Sequence, residues 1–291
     1  MICPKCGGDS FKHNGIKYSR IRDTHIRYFR CRKCGFKITE KVEKPGIPKT
    51  GLDIVINDIH FPFEDEKLLA KVTSFIVEIR PDRIFLNGDI MDCAEISSYD
   101  KSPITTPKLM DEINITRAWL DNLRTNNPSA DIYYIFGNHE ARFQRFLIHN
   151  ARQLVGMPGL SLEEQLRLND LNIKIVNSDL RESFLEAGNG LLIGHFDLVR
   201  KNSAYTARAL VERFGNSLIQ GHVHRVGLYA HTVHGRTLYG YENGCLCDTS
   251  PPYLVHPDWQ QGFSVIAWQG DDWQVQQIPG INGKFYYAGW H

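Results

Sequence analysis

Residues 83–92 read RIFLNGDIMD, and this stretch decides the fold class. Its first five residues form a short run that is apolar at its centre, which is typical of a buried strand. Gly88 then ends the strand, because a residue without a Cβ lets the chain turn sharply. Two aspartates, Asp89 and Asp92, follow the turn. The stretch therefore predicts a buried strand whose carboxyl end carries acidic side chains.

The same arrangement recurs along the chain, before and after this stretch. Apolar runs predict strands at residues 52–58, 83–87, 131–136, 173–176, 191–194 and 217–220. Helical spacing of apolar residues predicts helices at 66–79, at 109–123, from 140 onward and at 204–214. From residue 226 the pattern predicts hairpins, with turns at 234–236 and 270–272. Strand–helix alternation followed by consecutive strands predicts an α/β fold.

Five strand ends carry short polar motifs, which read DIH at 58–60, GDIMD at 88–92, GNHE at 137–140, GH at 194–195 and GHVH at 221–224. In open α/β sheets such ends form the ligand site. Carboxylate, amide oxygen and imidazole suit divalent metals such as Mn, Fe, Zn and Co. A single histidine after an apolar run is more often a core or surface residue than a ligand. The complete set predicts a metal centre with the ligands Asp58, His60, Asp89, Asn138, His195, His222 and His224.

The spacing within two of these motifs predicts how their side chains are presented. Asp58 and His60 are two residues apart, and so are His222 and His224. Each pair would share one face of a continuing strand. Two metal ions about 3.5–4 Å apart also need a bridging carboxylate. Asp89 is the expected bridge because its motif lies in the middle of the set.

The order D-x-H, G-D-x-x-D, G-N-H-[DE], G-H, G-H-x-H resembles that of the calcineurin-like metallophosphoesterase superfamily over residues 52–247. The resemblance implies a four-layer α/β sandwich, in which two mixed β-sheets are flanked by helices and a dinuclear metal site lies at the strand ends. It also implies that one metal is held by Asp58, His60 and His224. The other metal would be held by Asn138, His195 and His222, with Asp89 as the bridge.

The resemblance also implies roles for residues beside the ligands. His139 matches the catalytic histidine that protonates the leaving group or stabilises phosphate charge, and Asp92 and Glu140 match residues that orient imidazoles.

Protein phosphatases of the superfamily place Arg-Gly directly after the last aspartate of G-D-x-x-D. This chain has Cys93-Ala94 there, which disfavours a Ser/Thr phosphatase. Five basic residues lie near the motifs and could touch phosphate, although each is expected to be an ordinary surface charge, namely Arg142, Arg145, Arg200, Lys201 and Arg225.

Four of the seven cysteines form two C-x-x-C pairs near the N-terminus, Cys3 with Cys6 and Cys31 with Cys34. In a chain without a secretory signal this spacing predicts a structural zinc site rather than disulfides. So short a segment cannot build a stable core, so zinc would supply its folding free energy. The segment resembles a zinc ribbon, and its sequence is similar to ribbons of transposases. We predict a ribbon at 1–44, a linker rich in proline and glycine at 45–51, and a metallophosphoesterase domain at 52–291.

The N-terminal segment is also strongly basic. Residues 1–44 hold twelve lysines and arginines against four acidic residues, a net charge of +8, which leaves 22 basic and 29 acidic residues, or −7, for the rest. Aromatic residues lie among the arginines, so the segment has the groups that phosphate contacts and base stacking require. The candidates for nucleic-acid contacts are Arg20, Arg22, Arg27, Arg30, Arg32 and Lys33. A ribbon that contacts protein, or that serves stability alone, is the alternative.

Together these features predict an enzyme, a dinuclear-metal phosphodiesterase that hydrolyses DNA or RNA through a metal-activated hydroxide. Its cofactors would be two divalent metal ions, with manganese expected for activity, and one structural zinc. One alternative is a phosphomonoesterase or small-nucleotide phosphohydrolase whose ribbon mediates protein contacts, and another is a non-catalytic scaffold. The sequence shows no signal peptide and no apolar run long enough to span a membrane, so we expect a cytoplasmic protein with no membrane partner. It predicts no oligomeric state.

Overall fold

A computed structural model describes residues 2–19, 24–42, 50–99, 106–176, 184–251 and 257–287 of the chain. The chain divides into two units, Met1–Gly46 and Ile47–His291. The division falls within the predicted linker, residues 45–51. In the described ranges, no helix combines the length and the apolar character that a membrane span requires.

The smaller unit contains a three-stranded antiparallel sheet with the order β1-β2-β3. Its strands are β1 (Phe11–Ser19), β2 (Thr24–Cys31) and β3 (Lys37–Val42). One C-x-x-C pair precedes β1, and the other begins at the last residue of β2. The backbone N–H of Gly7 donates to the carbonyl of Cys3 (2.8 Å), and that of Gly35 donates to the carbonyl of Cys31 (2.9 Å). Each pair therefore lies in a tight turn.

The larger unit alternates strands and helices and ends in a hairpin. Its elements in chain order are β4 (Thr50–Ile56), α1 (Glu66–Ile79), β5 (Arg83–Asn87), α2 (Leu109–Asn126), β6 (Asp131–Ile135), α3 (Glu140–Asn150), a 3₁₀ turn (Arg152–Leu154), α4 (Leu162–Gln165), β7 (Ile173–Val176), β8 (Phe184–Gly188), β9 (Leu191–Gly194), α5 (Tyr205–Phe214), β10 (Ser217–Gln220), β11 (Val226–Val233), β12 (Arg236–Asn243), β13 (Gln261–Gln269) and β14 (Asp272–Gly280).

These strands form two mixed sheets. The six-stranded sheet has the order β14-β13-β4-β5-β6-β7, and the five-stranded sheet has the order β11-β12-β10-β9-β8. In the first sheet β4, β5, β6 and β7 run parallel, and in the second β9, β10 and β12 run parallel. The carboxyl ends of the parallel strands therefore lie at one edge of each sheet.

The core is divided between three interfaces. Alternate residues of a strand point to opposite faces, so Ile54 packs with residues of α1 and α2, whereas Val55 packs with Ile193 and other residues of the second sheet. On the far side of the second sheet, Leu210 of α5 packs on Leu218 of β10. The layers are thus helices, sheet, sheet and helix. The predicted four-layer α/β sandwich is confirmed.

Most predicted elements are found, and α1, β5, β7, β9 and β10 have the predicted bounds. The predicted strand at 52–58 ends earlier, because β4 stops at Ile56 and the backbone turns at Asp58 with a φ of 52°. β8 was not predicted, since its sequence FLEAG combines a charged residue and a glycine with no apolar alternation. The predicted turns at 234–236 and 270–272 connect β11 to β12 and β13 to β14.

Candidate metal centre

The five polar motifs follow strands of both sheets. Three follow β4, β5 and β6 of the six-stranded sheet, and two follow β9 and β10 of the five-stranded sheet. The strands within each set are parallel, so their motifs meet at one edge. Because the sheets pack face to face, the two edges come together. The structure brings all seven predicted ligands to this place.

Asp58, His60 and His224 form one group, whose ligand atoms all lie within 4.8 Å of one another. Nε2 of His224 lies 3.0 Å from Oδ1 of Asp58, and Nε2 of His60 lies 3.6 Å from the same oxygen. That oxygen is buried and accepts no hydrogen bond from any residue the structure describes, so it keeps lone pairs for a cation. One carboxylate and two imidazoles directed at one point fit a divalent metal ion.

Asp89, His195 and His222 form a second group of the same kind. Nε2 of His195 lies 3.1 Å from Oδ2 of Asp89 and 3.2 Å from Oδ1 of Asn138. Oδ2 of Asp89 also lies 3.8 Å from Nε2 of His60, which belongs to the first group. Asp89 thus lies between the two groups, where a bridging carboxylate is needed. The geometry fits two metal ions, and the assignment of each ligand stays a prediction.

The ligand positions share an unusual backbone conformation. Five of the seven have φ values between 51° and 72°, in the left-handed region, namely Asp58, His60, Asp89, His222 and His224. Such a conformation costs of the order of 1–3 kcal/mol for a residue with a side chain and persists only where its surroundings hold it. Backbone hydrogen bonds supply that support here. The N–H of Asp58 donates to Gly88 (3.0 Å), and the N–H of His60 donates to Asp89 (3.0 Å).

This backbone corrects the predicted reason for the pairing within two motifs. Each pair was expected to share one face of a continuing strand. However, β4 ends at Ile56 and β10 ends at Gln220, so all four residues lie beyond their strands. Left-handed turns, rather than strand alternation, direct their side chains to the same side.

At two positions of this edge, the side chains of candidate ligands lie so close to the backbone that only glycine fits. A Cβ at Gly88 would collide with the ring of His195, and a Cβ at Gly137 would collide with the carboxylate of Asp89. Any larger residue at either position would therefore displace a candidate ligand. The glycines allow tight packing of ligands as well as the turns inferred from sequence.

The buried carboxylates of the centre favour the protonated, positively charged form of two neighbouring histidines. Burial opposes protonation of His195, but the charges of Asp89 and Asp58 outweigh it and raise the pKa of His195 to about 9. Burial is likewise outweighed at His224, where the charge of Asp58 raises the pKa to about 9. At His222, burial and the charge of His195 lower the pKa to about 4. A site that holds protons in this way also favours divalent cations, which compete for the same lone pairs.

His139 lies beside the ligands and is held by Asp92. Nδ1 of His139 lies 2.9 Å from Oδ1 of Asp92 and 3.0 Å from the Asp92 carbonyl oxygen. The same Oδ1 lies 3.1 Å from Nδ1 of His60. Burial acts to raise the pKa of Asp92, but these contacts with His139 and His60 outweigh it and lower the pKa below its ordinary value. Asp92 is thus placed to orient two imidazoles, as the resemblance implied.

Glu140 does not orient an imidazole as expected. Its buried carboxylate accepts hydrogen bonds from the backbone N–H groups of Asp89 (3.0 Å), Ile90 (2.8 Å), Met91 (3.2 Å) and Gly137 (2.8 Å). The hydroxyl of Tyr134 donates to it as well, at 2.9 Å. Glu140 therefore fixes the loop that carries Asp89. Sequence reasoning missed this role because backbone donors are independent of residue type.

Two of the five nearby basic residues are not ordinary surface charges. The guanidinium of Arg142 donates to the Asp92 carbonyl oxygen (2.8 Å) and lies 2.9 Å from Nε2 of His139. Arg225 is only 7% exposed and donates to the carbonyl oxygens of Lys201 (2.9 Å) and Arg200 (2.6 Å). Arg225 thereby anchors the loop that follows β9, and it directly follows the candidate ligand His224 in sequence.

Other supporting residues also escaped the sequence. Nδ2 of Asn57 donates to Oδ2 of Asp58 (2.5 Å) and to the carbonyl oxygen of Gly244 (2.7 Å), so this buried amide orients a candidate ligand. Sγ of Cys247 lies 3.8 Å from Nδ1 of His224, and the Trp259 ring packs on that histidine with a centroid distance of 4.2 Å. A polar residue inside the apolar run IVIND was the one available indication for Asn57.

In the smaller unit, the four predicted zinc ligands converge. The sulfur atoms of Cys3, Cys6, Cys31 and Cys34 lie within 4.8 Å of one another. The closest pairs are 3.6 Å apart, which is too long for a disulfide and suits four thiolates around one zinc ion. A hydrogen bond from the backbone N–H of Cys34 is the main cause that lowers the pKa of Cys31 to about 7, which favours the thiolate there. At Cys6 the backbone hydrogen bond from Gly8 acts in the same direction, but contacts with the other thiols and burial outweigh it and raise the pKa to about 12.

The candidate nucleic-acid contacts are only partly described. Arg30, Arg32 and Lys33 are exposed, and the first two donate to the carbonyl oxygens of Gly35 (3.3 Å) and Phe11 (3.4 Å). Arg20, Arg22 and the side chain of Arg27 lie outside the described residues. Their predicted contacts stay a prediction.

Comparison with known proteins gives matches over most of the chain. The family model of the calcineurin-like phosphoesterases matches residues 54–226. The chain is 29% identical over 252 residues to the Gene 54 protein of Mycobacterium phage L5, and 29% identical over 262 residues to that of phage D29. Each alignment covers 81% of this chain and 96% of the relative. Among solved structures, Vacuolar Protein Sorting 29 of Cryptosporidium parvum is similar with a TM-score of 0.44 at 13% identity, over 82% of this chain and 96% of that chain.

The matched region, residues 54–226, contains all five polar motifs and every candidate ligand from Asp58 to His224. The family and the converging ligands point to the same chemistry, metal-dependent hydrolysis of phosphoesters. This chain therefore belongs to the calcineurin-like phosphoesterase family and is a metal-dependent phosphoester hydrolase.

Proposed function

We propose that this hydrolase is a dinuclear-metal phosphodiesterase that cleaves DNA or RNA. The observation that carries the proposal is the presence, on one chain, of a phosphoesterase centre and a basic unit with a four-cysteine cluster. The +8 charge of residues 1–44 suits a polyanion, whereas the rest of the chain carries −7. The activity would be intracellular, where the four cysteines remain reduced.

In this proposal the two ligand groups each hold one divalent metal ion, with manganese as the active metal and Asp89 shared between them. When bound, such ions supply Lewis acidity toward a phosphoryl oxygen and a nucleophilic hydroxide at neutral pH. Asn138 would direct its amide toward a phosphate oxygen beside the ligands. His139 would assist departure of the alkoxide as general acid, held in orientation by Asp92.

The test compares two substrates with and without the basic surface of the ribbon. Arg30, Arg32 and Lys33 are replaced together by glutamine, and a matched control replaces the exposed Arg167, Lys174 and Arg208 of the larger unit in the same way. Both variants lose three positive charges. Cleavage of DNA and of bis(p-nitrophenyl) phosphate is measured with Mn²⁺ over a range of salt concentrations.

We expect the wild type to cleave DNA with a steep salt dependence. Each phosphate contact contributes about 0.7–0.9 to the slope of log affinity against log salt, so loss of three contacts should reduce the slope of the ribbon variant by about two to three units. Its rate on DNA should fall far more than its rate on the bis-ester, and the control should behave as the wild type. A preference for p-nitrophenyl phosphate over the bis-ester, with no cleavage of DNA or RNA, would instead establish a phosphomonoesterase. Loss of turnover with every metal would support a scaffold.

A further inference from the structure

Two arginines of α3 lie beside the metal centre on one side of the helix. α3 begins at Glu140, directly after the candidate ligand Asn138 and the predicted general acid His139. Arg142 and Arg145 are three residues apart, so their side chains project from neighbouring positions on the helix surface. The helix therefore presents two guanidinium groups next to the residues that would contact the substrate.

Arg142 is held in place before any substrate binds. Its side chain is 12% exposed. Its Nη1 donates to the Asp92 carbonyl oxygen (2.8 Å) and lies 3.6 Å from Oδ2 of the same residue, and its Nη2 lies 2.9 Å from Nε2 of His139. A guanidinium has five N–H donors, and these contacts use two of them. His139 cannot donate a proton from Nε2 while the guanidinium donates to that atom. A phosphate oxygen that attracts Arg142 would free Nε2 to face the leaving group.

Arg145 occupies the next position toward solvent. Its Nη2 donates to the carbonyl oxygen of Asn138 at 2.7 Å, and its Nε lies 3.4 Å from the carbonyl oxygen of Ala141. Both partners are neutral, so its charge remains available for an anion. The Cβ atoms of residues three apart on a helix are about 5–6 Å apart, and both side chains are long, so their guanidinium groups can contact two neighbouring anionic groups of one ligand.

We propose that Arg142 binds an oxygen of the phosphate at the metal centre and that Arg145 binds the next phosphate of the same strand. The site then selects substrates with at least two successive phosphates, such as oligonucleotides, over isolated phosphodiesters. This inference rests on the proposed phosphodiesterase function. It adds a substrate class and two substrate-binding residues to it.

The test uses the full chain, Mn²⁺ and three thymidine dinucleotides, TpT, pTpT and TpTp. All three contain one cleavable diester. In addition, pTpT carries one phosphate at its 5′ end, and TpTp carries one phosphate at its 3′ end. We expect one of the phosphorylated dinucleotides to exceed TpT in kcat/KM by about tenfold, the size of one charge-assisted hydrogen bond. Arg145→Gln should abolish this advantage. Arg142→Gln should lower kcat/KM for all three by about 10²-fold, as loss of a donor to transition-state charge does.

Arg208→Gln is the matched control, because Arg208 is an exposed arginine of α5 paired with Glu212. It should retain the wild-type values. A purely structural role for Arg145 would lower the rates on all three dinucleotides equally, and that result would overturn the inference. If Arg145→Gln loses metal, Arg145→Lys replaces it and should keep part of the advantage, since the charge is retained.

Two further outcomes separate the inference from the proposed function. Equal rates on the three dinucleotides in the wild type would overturn the inference and leave the diesterase intact. No cleavage of any dinucleotide by a preparation that hydrolyses p-nitrophenyl phosphate would overturn both.

Discussion

The candidate ligands are oriented by neighbours that are not themselves ligands. Nδ1 of His195 lies 2.9 Å from the carbonyl oxygen of Asn87, and Nδ1 of His60 lies 3.1 Å from Oδ1 of Asp92. With Nδ1 engaged in this way, Nε2 of each ring is directed into the centre. His139 has the same arrangement through Asp92 but lies beside the two ligand groups of the proposed metals. Its ring also groups with His60 and Asp89 as a possible metal site, so its role in proton transfer rather than metal binding is a prediction that follows from the resemblance to the phosphoesterase family.

We predict that His139→Ala keeps both metal ions and loses activity on unactivated diesters by about 10²–10⁴-fold, because the leaving alkoxide no longer receives a proton. The loss should be smaller with a p-nitrophenyl ester, whose leaving group needs little protonation. Elemental analysis and kcat for both substrates measure the effect. His149→Ala, at the exposed end of α3, serves as the control. Full activity on an unactivated substrate would exclude His139 as the general acid.

At the scale of elements, the loop between β5 and the following helix depends on the start of α3. Glu140, the first residue of α3, accepts four backbone N–H groups, and three of them belong to residues 89–91 of this loop. A left-handed residue such as Asp89 would relax without that support. The helix thus holds the carboxylate of Asp89, the expected bridge, in place through the backbone of its loop.

We predict that Glu140→Gln lowers the free energy of unfolding by about 1–3 kcal/mol, because an amide nitrogen cannot accept the hydrogen bonds of buried backbone donors. Metal affinity should fall as well, since the Asp89 loop loses its anchor. Chemical denaturation and metal titration measure the two effects. Glu66→Gln removes an exposed carboxylate from the first turn of α1 and should cost only a few tenths of a kcal/mol. Unchanged stability in Glu140→Gln would show that the loop is held by other contacts.

On the scale of the whole molecule, the two units differ in what stabilises them. The larger unit has three apolar clusters between its layers. The smaller unit has one three-stranded sheet and a cluster of four cysteines, of which Cys3 and Cys31 are buried. A unit of that size usually needs a metal, disulfides or association for its stability, and we predict that zinc serves this purpose here. The two units should therefore respond differently to loss of zinc.

We predict that Cys34→Ser loses the structural zinc and unfolds the smaller unit, because only three thiolates remain for a tetrahedral ion. The larger unit should melt at the wild-type temperature and still hydrolyse bis(p-nitrophenyl) phosphate, whereas cleavage of DNA should drop sharply. Zinc content, two-transition thermal melting and the two assays test this. If the melting temperature of the larger unit falls by several degrees, the units are not independent in stability.

Sequence reasoning predicted the strands, the helices and the place of the ligands well, because burial and strand ends leave a pattern in residue type. It did not predict the left-handed backbone at Asp58 or His222, since φ is set by hydrogen bonds between distant segments. The role of Glu140 was missed for a related reason, because its partners are backbone groups. Arg142 and Arg225 were expected at the surface, because long charged side chains usually are, and only the fold shows which neighbours bury them.

The candidate ligands come from two different sheets. Asp58, His60, Asp89 and Asn138 follow strands of the six-stranded sheet, while His195, His222 and His224 follow strands of the five-stranded one. Cations bound there would link the two sheets of the sandwich to each other at one edge. Metal binding then stabilises the folded larger unit by mass action, and its free energy of unfolding rises by RT ln(1 + [metal]/Kd). Opening of either sheet would release the ions and end turnover, so heat resistance and catalytic competence would rise and fall together.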